Sequence, residues 1–362
     1  MTVPSTIKTW IIAEKPGETL TDKARLPSHT PLLLLALTPL TFRLEEKPLR
    51  EANDGEIVVK IEYFSNDPAQ RTWIGKDVVP DRAYGPCPNE GDSMPSLVLG
   101  RVVQTKSSQW KEGDLVTAFA SWSEYVVLNE KAVMAARQIE GCSPSVALSA
   151  LGMTTMTAYT GLHEVGHIKP EHTIVISGAA GATGGAAVQI AKNIVGCKRV
   201  IGIAGGAEKC RWVESLGADV CVDYKSSSFE EDLIKATEGY VDVYFDNVSG
   251  RILDLVLARM KRFSRIIACG AISGYNTSRE MRMHNLFEII SMRITMQGFI
   301  VSDFADKWPG AVDAVKKAIE EKRFTTEGTE TKVAASFEDV PKVWARLFSG
   351  GNQGKLVTDV SA

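Results

Sequence analysis

The stretch SGAAGATGGAA, residues 177–187, decides the fold, because it joins the β-branched run TIVIS (173–177) to a helical pattern. A glycine-rich turn between a buried strand and a helix aims backbone N–H groups and the positive helix end at a pyrophosphate. Gly178, Gly181 and Gly184 supply the sharp turn, the close backbone approach and the tight helix–strand packing. The GxxGxxG spacing departs from GxGxxG, and such turns also occur without a nucleotide, so the motif needs support from its context.

Short apolar runs alternate with helical patterns along the chain from residue 173 onward. The runs are TIVIS (173–177), RVIGIA (199–204), DVCV (219–222), VDVYFD (241–246), RIIAC (265–269) and ITMQGFIV (294–301). Six buried strands with helices between them predict an α/β fold with a doubly wound parallel sheet.

The segments outside this region have a different hydrophobic pattern. Alternating runs at 56–64, 97–105 and 114–120, separated by Gly, Pro and Asp turns, predict an antiparallel β domain. The tail has helical patterns over 310–322 and 338–348 and a last strand over 355–360, and we expect it to complete the β domain. The predicted domains are 1–137 together with 303–362, and 138–302.

Composition narrows the function classes. Forty-one Lys and Arg balance 44 Asp and Glu without a basic tract, so no nucleic-acid or membrane partner is predicted. The six cysteines form no CxxC pair, which argues against a disulfide framework and favours a reducing compartment. The N-terminus has no signal-peptide pattern, and the apolar patch 31–40 is half the roughly 20 residues of a membrane span. We therefore expect a cytoplasmic protein.

The second strand distinguishes between the two nicotinamide cofactors. An NAD site has an Asp or Glu at the end of this strand, whereas here the strand ends in Ala204 and Gly205. Lys209 opens the next helix, and Tyr224 and Lys225 follow the third strand, near the position of a 2′-phosphate. NADP(H) is favoured, although either lysine by itself could be an ordinary solvated side chain.

The sequence His163-Glu164-Val165-Gly166-His167 matches the HExxH zinc motif. Gly166 lies inside the motif and Pro170 follows it, so the segment is interpreted as a helix end, where the dipole favours histidine. His29, His172 and His284 have no ligand spacing, and no metal site is predicted.

Eight further stretches carry a resemblance that extends over nearly the whole chain. They are SNDPAQR (65–71), KEGDLV (111–116), LGMTTMTAYTGLHEVG (151–166), SGAAGATGGAAVQIAK (177–192), EKCRWVESLGAD (208–219), VYFDNVSG (243–250), ACGAISGYN (268–276) and MQGFIVSDF (296–304). In these stretches the chain resembles the zinc-independent medium-chain dehydrogenase/reductases, within the group of alkenal double-bond reductases and prostaglandin reductases.

The resemblance implies a GroES-like catalytic domain, a Rossmann domain, a homodimer joined through the Rossmann sheet, and NADPH-dependent reduction of a C=C bond in an enal or enone. It places Lys209 and Tyr224 at the 2′-phosphate, Asn352 at the carboxamide and Tyr275 at the substrate carbonyl. The candidate cofactor-binding residues are Met153, Thr154, Gly178, Gly181, Ala182, Thr183, Gly184, Gly205, Lys209, Tyr224, Asn247, Cys269, Phe299, Val301 and Asn352. The candidate substrate-binding residues are Tyr63, Arg71, Tyr84 and Trp122.

Reduction of an enone places negative charge on the carbonyl oxygen, which requires a hydrogen-bond donor when no metal is present. Tyr275 is the candidate donor, and the alternative is a tyrosine that only packs on the substrate. Two other functions remain open, namely a quinone reductase or trans-acting enoyl reductase, and a non-catalytic protein that binds NADPH.

Overall fold

The structure is a computed structural model that describes residues 3–17, 41–276 and 283–361. His29 and the apolar patch 31–40 lie outside the described residues. The chain divides into two compact units. The first comprises Met1–Leu148, Thr331–Asn352 and Leu356–Ala362, and the second comprises Ser149–Glu330 and Gln353–Lys355.

Strands occur in both units. In chain order they are β1 (Thr6–Ile12), β2 (Phe42–Pro48), β3 (Glu56–Ser65), β4 (Pro95–Thr105), β5 (Leu115–Ser121), β6 (Tyr125–Asn129), β7 (Val133–Ala135), β8 (Thr173–Ser177), β9 (Arg199–Ala204), β10 (Val220–Asp223), β11 (Val241–Asp246), β12 (Met260–Ala268), β13 (Thr295–Gly298), β14 (Glu330–Ala334) and β15 (Lys355–Asp359).

The α-helices lie mostly in the second unit. They are α1 (Gln70–Trp73), α2 (Met153–Thr160), α3 (Ala182–Gln189), α4 (Ala207–Ser215), α5 (Phe229–Ala236), α6 (Gly250–Leu257), α7 (Phe287–Ser291), α8 (Trp308–Glu320) and α9 (Val340–Ala345). Helices α2 and α3 continue as π-helical turns over Gly161–Val165 and Ile190–Val195.

The first unit is rich in β-structure. Its main sheet has the order β14-β15-β3-β4-β5-β7, with β6 also paired to β3, while β1 and β2 form a separate antiparallel ribbon. Strand β3 pairs antiparallel with β15, β4 and β6. The core is aromatic, because Trp122 and Trp344 are fully buried with ring centroids 5.9 Å apart, and Phe42 packs on both. Large buried aromatic surfaces of this kind dominate core stability.

The second unit contains the predicted doubly wound sheet, and this prediction is confirmed. Its strands lie in the order β10-β9-β8-β11-β12-β13, and every pair is parallel. The first, second and fourth predicted strands have the predicted bounds. Strands β8 and β9 are almost wholly buried, as expected for a sheet covered on both faces.

Three strands differ from the prediction. Strand β10 runs from Val220 to Asp223, one residue later than predicted. Strand β12 begins at Met260 instead of residue 265, because Lys261, Arg262 and Ser264 interrupt the apolar pattern of its first half. Strand β13 was expected to be buried, but every one of its residues is exposed, because it is the edge strand of the sheet.

Helix α8 lies in the second unit, whereas the predicted boundary assigns residues 303–330 to the β-rich domain. Its residues Ala311 and Val312 pack with Met156 of α2, and this contact explains the difference. At the other boundary the first unit continues to Leu148, beyond the predicted residue 137. Among the described residues, no helix combines the length and apolarity needed to cross a membrane.

Candidate cofactor and active site

The strand order of the second unit reverses between β8 and β11. Because all six strands are parallel, their carboxyl ends share one edge, and a crevice forms outside the reversal point, where ligands of open α/β sheets bind. Ser177 and Gly178 leave the sheet on one side of this point, and Asp246 and Asn247 leave it on the other.

The glycine-rich turn has the backbone shape that its sequence predicts. Gly178 has φ +58°, and a side chain there would also lie 3.3 Å from Cβ of Asn247. A Cβ on Gly184 would lie 2.2 Å from the carbonyl oxygen of Gly178. Only glycine therefore allows the helix to lie this close to the end of the strand. Gly181 precedes α3, whose first turn contains Ala182 and Thr183, so the amino end of the helix faces the turn.

A small cavity of about 20 Å³ lies beside the amino end of α3. Its lining includes Thr154, Gly181, Ala182, Trp212 and Lys355. This volume holds about one water molecule.

Lys209 and Tyr224 are the residues that the sequence predicts to bind the 2′-phosphate. A Cβ on Gly205 would lie 2.8 Å from the Tyr224 ring, so the glycine lets the ring approach the end of β9. Lys209 is half-buried in the first turn of α4, and burial followed by the charge of Lys225 lowers its pKa. The nearby carboxylate of Asp223 accepts the amide hydrogens of Gly206 and Lys225, at 2.8 and 2.9 Å. These positions fit an adenosine that carries a 2′-phosphate, since two cations converge there.

A buried carboxylate, Asp246, lies at the reversal point. Its Oδ1 accepts hydrogen bonds from the hydroxyls of Ser177 (3.1 Å) and Tyr244 (2.8 Å), and from the amides of Val248 (3.0 Å) and Ser249 (2.8 Å). Burial raises the pKa of this carboxyl, while the amide hydrogen bonds oppose the shift. Asp246, Ser177 and Tyr244 were not predicted as site residues. Ser177 and Asp246 could have been identified from the sequence, because each is a polar residue at the end of an apolar strand and the two strands are neighbours.

Ser249 adopts φ +64° and ψ −158°, a region that is populated almost exclusively by glycine. Such strain costs about 1–3 kcal/mol and persists only where the surroundings enforce it. Here the amide of Ser249 donates to the Asp246 side chain, so a buried acceptor fixes the turn after β11.

The loop after β12 is attached to the same residue. The backbone oxygen of Asp246 accepts the amide hydrogens of Cys269 and Gly270 at 2.9 and 3.0 Å. Burial, together with the charge of Asp246, raises the pKa of the Cys269 thiol to about 12, so this thiol stays protonated at neutral pH. The hydroxyl of Tyr275 accepts the Ala271 amide hydrogen at 3.3 Å.

Asn247 and Tyr275 both lie close to Gly270. A Cβ on Gly270 would be 3.2 Å from the Asn247 carbonyl oxygen and 3.4 Å from the Tyr275 hydroxyl. The structure therefore brings a carboxamide residue and a phenol close together at the reversal point.

The remaining candidates of the second unit lie around α2. Met153 is exposed at the start of this helix, with Thr154 beside it. Phe299 approaches the helix end, where a Cβ on Gly161 would lie 2.8 Å from its ring. Val301 packs with Met156, and its carbonyl oxygen accepts a hydrogen bond from the indole of Trp308 at 3.3 Å.

The candidate substrate residues belong to the first unit, and they differ in exposure. Tyr84 is exposed, with its hydroxyl 3.5 Å from that of Thr72. Tyr63 and Trp122 are buried in the core of this unit, so neither ring lies at its surface. Arg71 is also buried, and it donates a hydrogen bond to the Gly17 carbonyl oxygen at 2.8 Å.

Asn352 is half-buried in the turn before β15. It belongs to the first unit, whereas the residues that follow it, Gln353–Lys355, belong to the second.

The HExxH segment is a π-helical turn that ends at Gly166, and His167 has φ +46°. The ring of His163 stacks on Tyr159 with centroids 4.2 Å apart, and burial lowers its pKa. In the part of the chain that the structure describes, no three His, Cys, Asp or Glu side chains form a group that could hold a metal ion.

Two family models match the chain. The family described as the N-terminal domain of oxidoreductase matches residues 36–136, and the family described as zinc-binding dehydrogenase matches residues 182–317.

Several proteins resemble the chain over most of its length. It is 34% identical to an uncharacterized membrane protein of Saccharomyces cerevisiae, covering 89% of this chain and 92% of that one. It is 35% identical to prostaglandin reductase 1 of Bos taurus, covering 87% and 93%. It is 35% identical to an NADP(+)-dependent 2-alkenal reductase of Nicotiana tabacum, covering 84% and 88%. The crystal structure of CurA from Vibrio vulnificus in complex with NADPH has a TM-score of 0.85 at 27% identity, covering 98% of this chain and 99% of that one.

Proposed function

The chain belongs to the medium-chain dehydrogenase/reductases, in the group of alkenal and prostaglandin reductases, and we propose that it reduces the C=C bond of α,β-unsaturated aldehydes or ketones with NADPH. The predicted family is thereby confirmed. The observation that carries the proposal is the proximity of Asn247 and Tyr275 around Gly270, beside the glycine-rich turn.

NADPH, when bound, supplies a hydride to the β-carbon of the substrate. In the proposal Lys209 and Tyr224 bind its 2′-phosphate, and the amides at the start of α3 bind its pyrophosphate. Asn247, Phe299 and Val301 orient the nicotinamide half, together with Met153 and Thr154, which lie at the start of α2.

Tyr275 is proposed to donate a hydrogen bond to the substrate carbonyl oxygen, where negative charge develops. Its hydroxyl is held by the Ala271 amide, so the donor is oriented before the substrate arrives. A preorganised donor of this kind contributes about 3 kcal/mol, or roughly a hundredfold in rate.

The test compares Tyr275→Phe with Tyr240→Phe, which alters an exposed tyrosine whose ring stacks on Arg259 at 4.6 Å. We expect Tyr275→Phe to lower kcat for an enal about a hundredfold at unchanged NADPH affinity, and Tyr240→Phe to change neither. Full turnover of Tyr275→Phe would remove the tyrosine from the mechanism.

Substrate class is tested by following NADPH oxidation with a panel of enals, enones and quinones. We expect enals and enones to be reduced faster than quinones. Faster quinone turnover would identify a quinone reductase instead, and tight NADPH binding without any oxidation would favour a non-catalytic role.

We also propose a homodimer that joins through the edge of the parallel sheet. Strand β13 is exposed along its length, and Phe287 and Ile290 on α7 are 70% and 69% exposed. An exposed edge strand beside exposed apolar side chains is a surface that a second copy can cover. Light scattering should give twice the chain mass for the wild type and a monomer for Ile290→Glu, and a monomeric wild type would contradict the proposal.

A cytoplasmic location is proposed from the six free cysteines, whose number and spacing suit a reducing compartment. The yeast relative is named a membrane protein, so cell fractionation is the decisive measurement. Recovery in the membrane fraction would contradict the proposal.

A further inference from the structure

Asp246 and Ser177 are buried polar residues that the proposed chemistry does not use. We propose that they are positioning residues, which orient Asn247 and thereby determine how tightly the nicotinamide half of the cofactor is bound. This inference rests on the proposed function, because it takes Asn247 to contact that half.

The contacts form a continuous chain from the carboxylate to Asn247. The Ser177 hydroxyl donates to Asp246 Oδ1 at 3.1 Å and accepts the Asn247 amide hydrogen at 3.0 Å. The Asn247 side-chain amide donates to the Ser177 carbonyl oxygen at 2.7 Å. Asn247 is therefore held through its main chain and its side chain by the residue that begins the glycine-rich turn.

The carboxylate also fixes the backbone that follows Asn247. Its Oδ1 binds the amides of Val248 and Ser249, and Ser249 has a strained conformation. Four donors converge on this one oxygen, and together they hold the turn in a shape that it would not otherwise keep. Loss of this acceptor or of the Ser177 hydroxyl should let Asn247 shift.

A purely structural role is the alternative, and the same strand offers a matched control. Asp242, at the opposite end of β11, binds the Thr173 amide and Lys261 at 2.8 and 2.7 Å, away from the carboxyl edge. Tyr244 is not a control, because its hydroxyl donates to the same Asp246 oxygen at 2.8 Å and also interacts with the Ser177 side chain. Asp242→Asn disturbs a hydrogen bond of β11 without breaking the path to Asn247.

The experiment measures the dissociation constants of NADPH and of 2′-phospho-ADP-ribose, a fragment without the nicotinamide. Their ratio, fragment over NADPH, reports the contribution of the nicotinamide half and cancels general damage to the fold. We expect Ser177→Ala and Asp246→Asn to lower this ratio about tenfold. We expect Asp242→Asn to leave it within about twofold.

A double-mutant cycle tests whether the effect passes through Asn247. Asn247→Ala should lower the ratio by a similar factor, and Ser177→Ala should add little in its presence, because coupled residues are not additive. An unchanged ratio in Ser177→Ala would overturn the inference, as would an equal fall in Asp242→Asn or full additivity with Asn247→Ala. If Asp246→Asn does not fold, Ser177→Ala alone decides.

The outcome is separable from the proposed function. The ratio is a binding measurement without substrate, so a wild type that binds NADPH but reduces no enal contradicts the proposed function and leaves the positioning test intact. Conversely, an active enzyme with an unchanged ratio contradicts only the inference.

Discussion

Lys209→Ala should weaken NADPH binding about 30-fold and leave NADH binding unchanged. Lys209 is half-buried at the start of α4, and burial together with Lys225 lowers its pKa. Lys209 and Lys225 repel each other, and a phosphate dianion bound between them would relieve this repulsion. An exposed ion pair contributes up to about 1 kcal/mol and a charge-assisted hydrogen bond about 1.5–3 kcal/mol, so a half-buried contact is worth about 2 kcal/mol. This energy corresponds to about 30-fold in affinity.

The assay is the ratio of kcat/KM for NADPH to kcat/KM for NADH with one enal. The ratio cancels any loss of folded protein, because both cofactors are measured on the same sample. Lys235→Ala, an exposed lysine in the last turn of α5, is the control and should keep the wild-type ratio. An equal loss with both cofactors would show that Lys209 does not contact the 2′-phosphate.

Other predictions follow from individual contacts. Gly184→Ala places a Cβ 2.2 Å from the Gly178 carbonyl oxygen and should lower the free energy of unfolding by about 3 kcal/mol, whereas Gly310→Ala meets nothing within 4 Å and should raise it by up to about 1 kcal/mol in urea titrations. Because the pKa of Lys209 is lowered, NADPH affinity should decline as the pH rises, and the decline should begin below the 10.5 of an ordinary lysine. Lys209→Arg should abolish this decline, because arginine stays charged. An unchanged pH profile in that variant would assign the decline to another group. At pH 7 the free energy of unfolding of Asp246→Asn should be no lower than that of the wild type. A large decrease in this free energy would show that the carboxylate contributes to stability.

The sequence predicts the parallel sheet well where a strand is apolar throughout. Strands β8 and β9 are rich in β-branched residues and end at Ser177 and Ala204, and their predicted bounds agree with the structure. The run 294–301 was also predicted as a buried strand, yet only Thr295–Gly298 forms β13 and all four residues are exposed, because periodicity does not distinguish a central strand from an edge strand that a partner could cover. The position of a strand in a sheet depends on topology, which a local pattern does not contain.

The candidate site was predicted unevenly for a related reason. The role of the glycines can be predicted from sequence, because Gly184 lies so close to Gly178 that any residue with a Cβ would clash there. Trp122 was expected at the substrate, but its ring is fully buried with Phe42 and Trp344, since an aromatic residue has the same sequence signature in a core as in a pocket.

Asp246 is the residue that the sequence reading overlooked, and its pKa explains why it matters. Burial raises the pKa of this carboxyl above the unfolded value. A group shifted in this direction stabilises the fold below its unfolded pKa, and that contribution is lost as pH rises through the folded pKa. Burial of Asp246 therefore disfavours its ionised form in the folded protein, even though Oδ1 accepts hydrogen bonds from Ser177, Tyr244 and two backbone amides. Packing alone would favour a neutral residue at this position, so the presence of a carboxylate is better explained by the strained turn and the Asn247 contact than by stability.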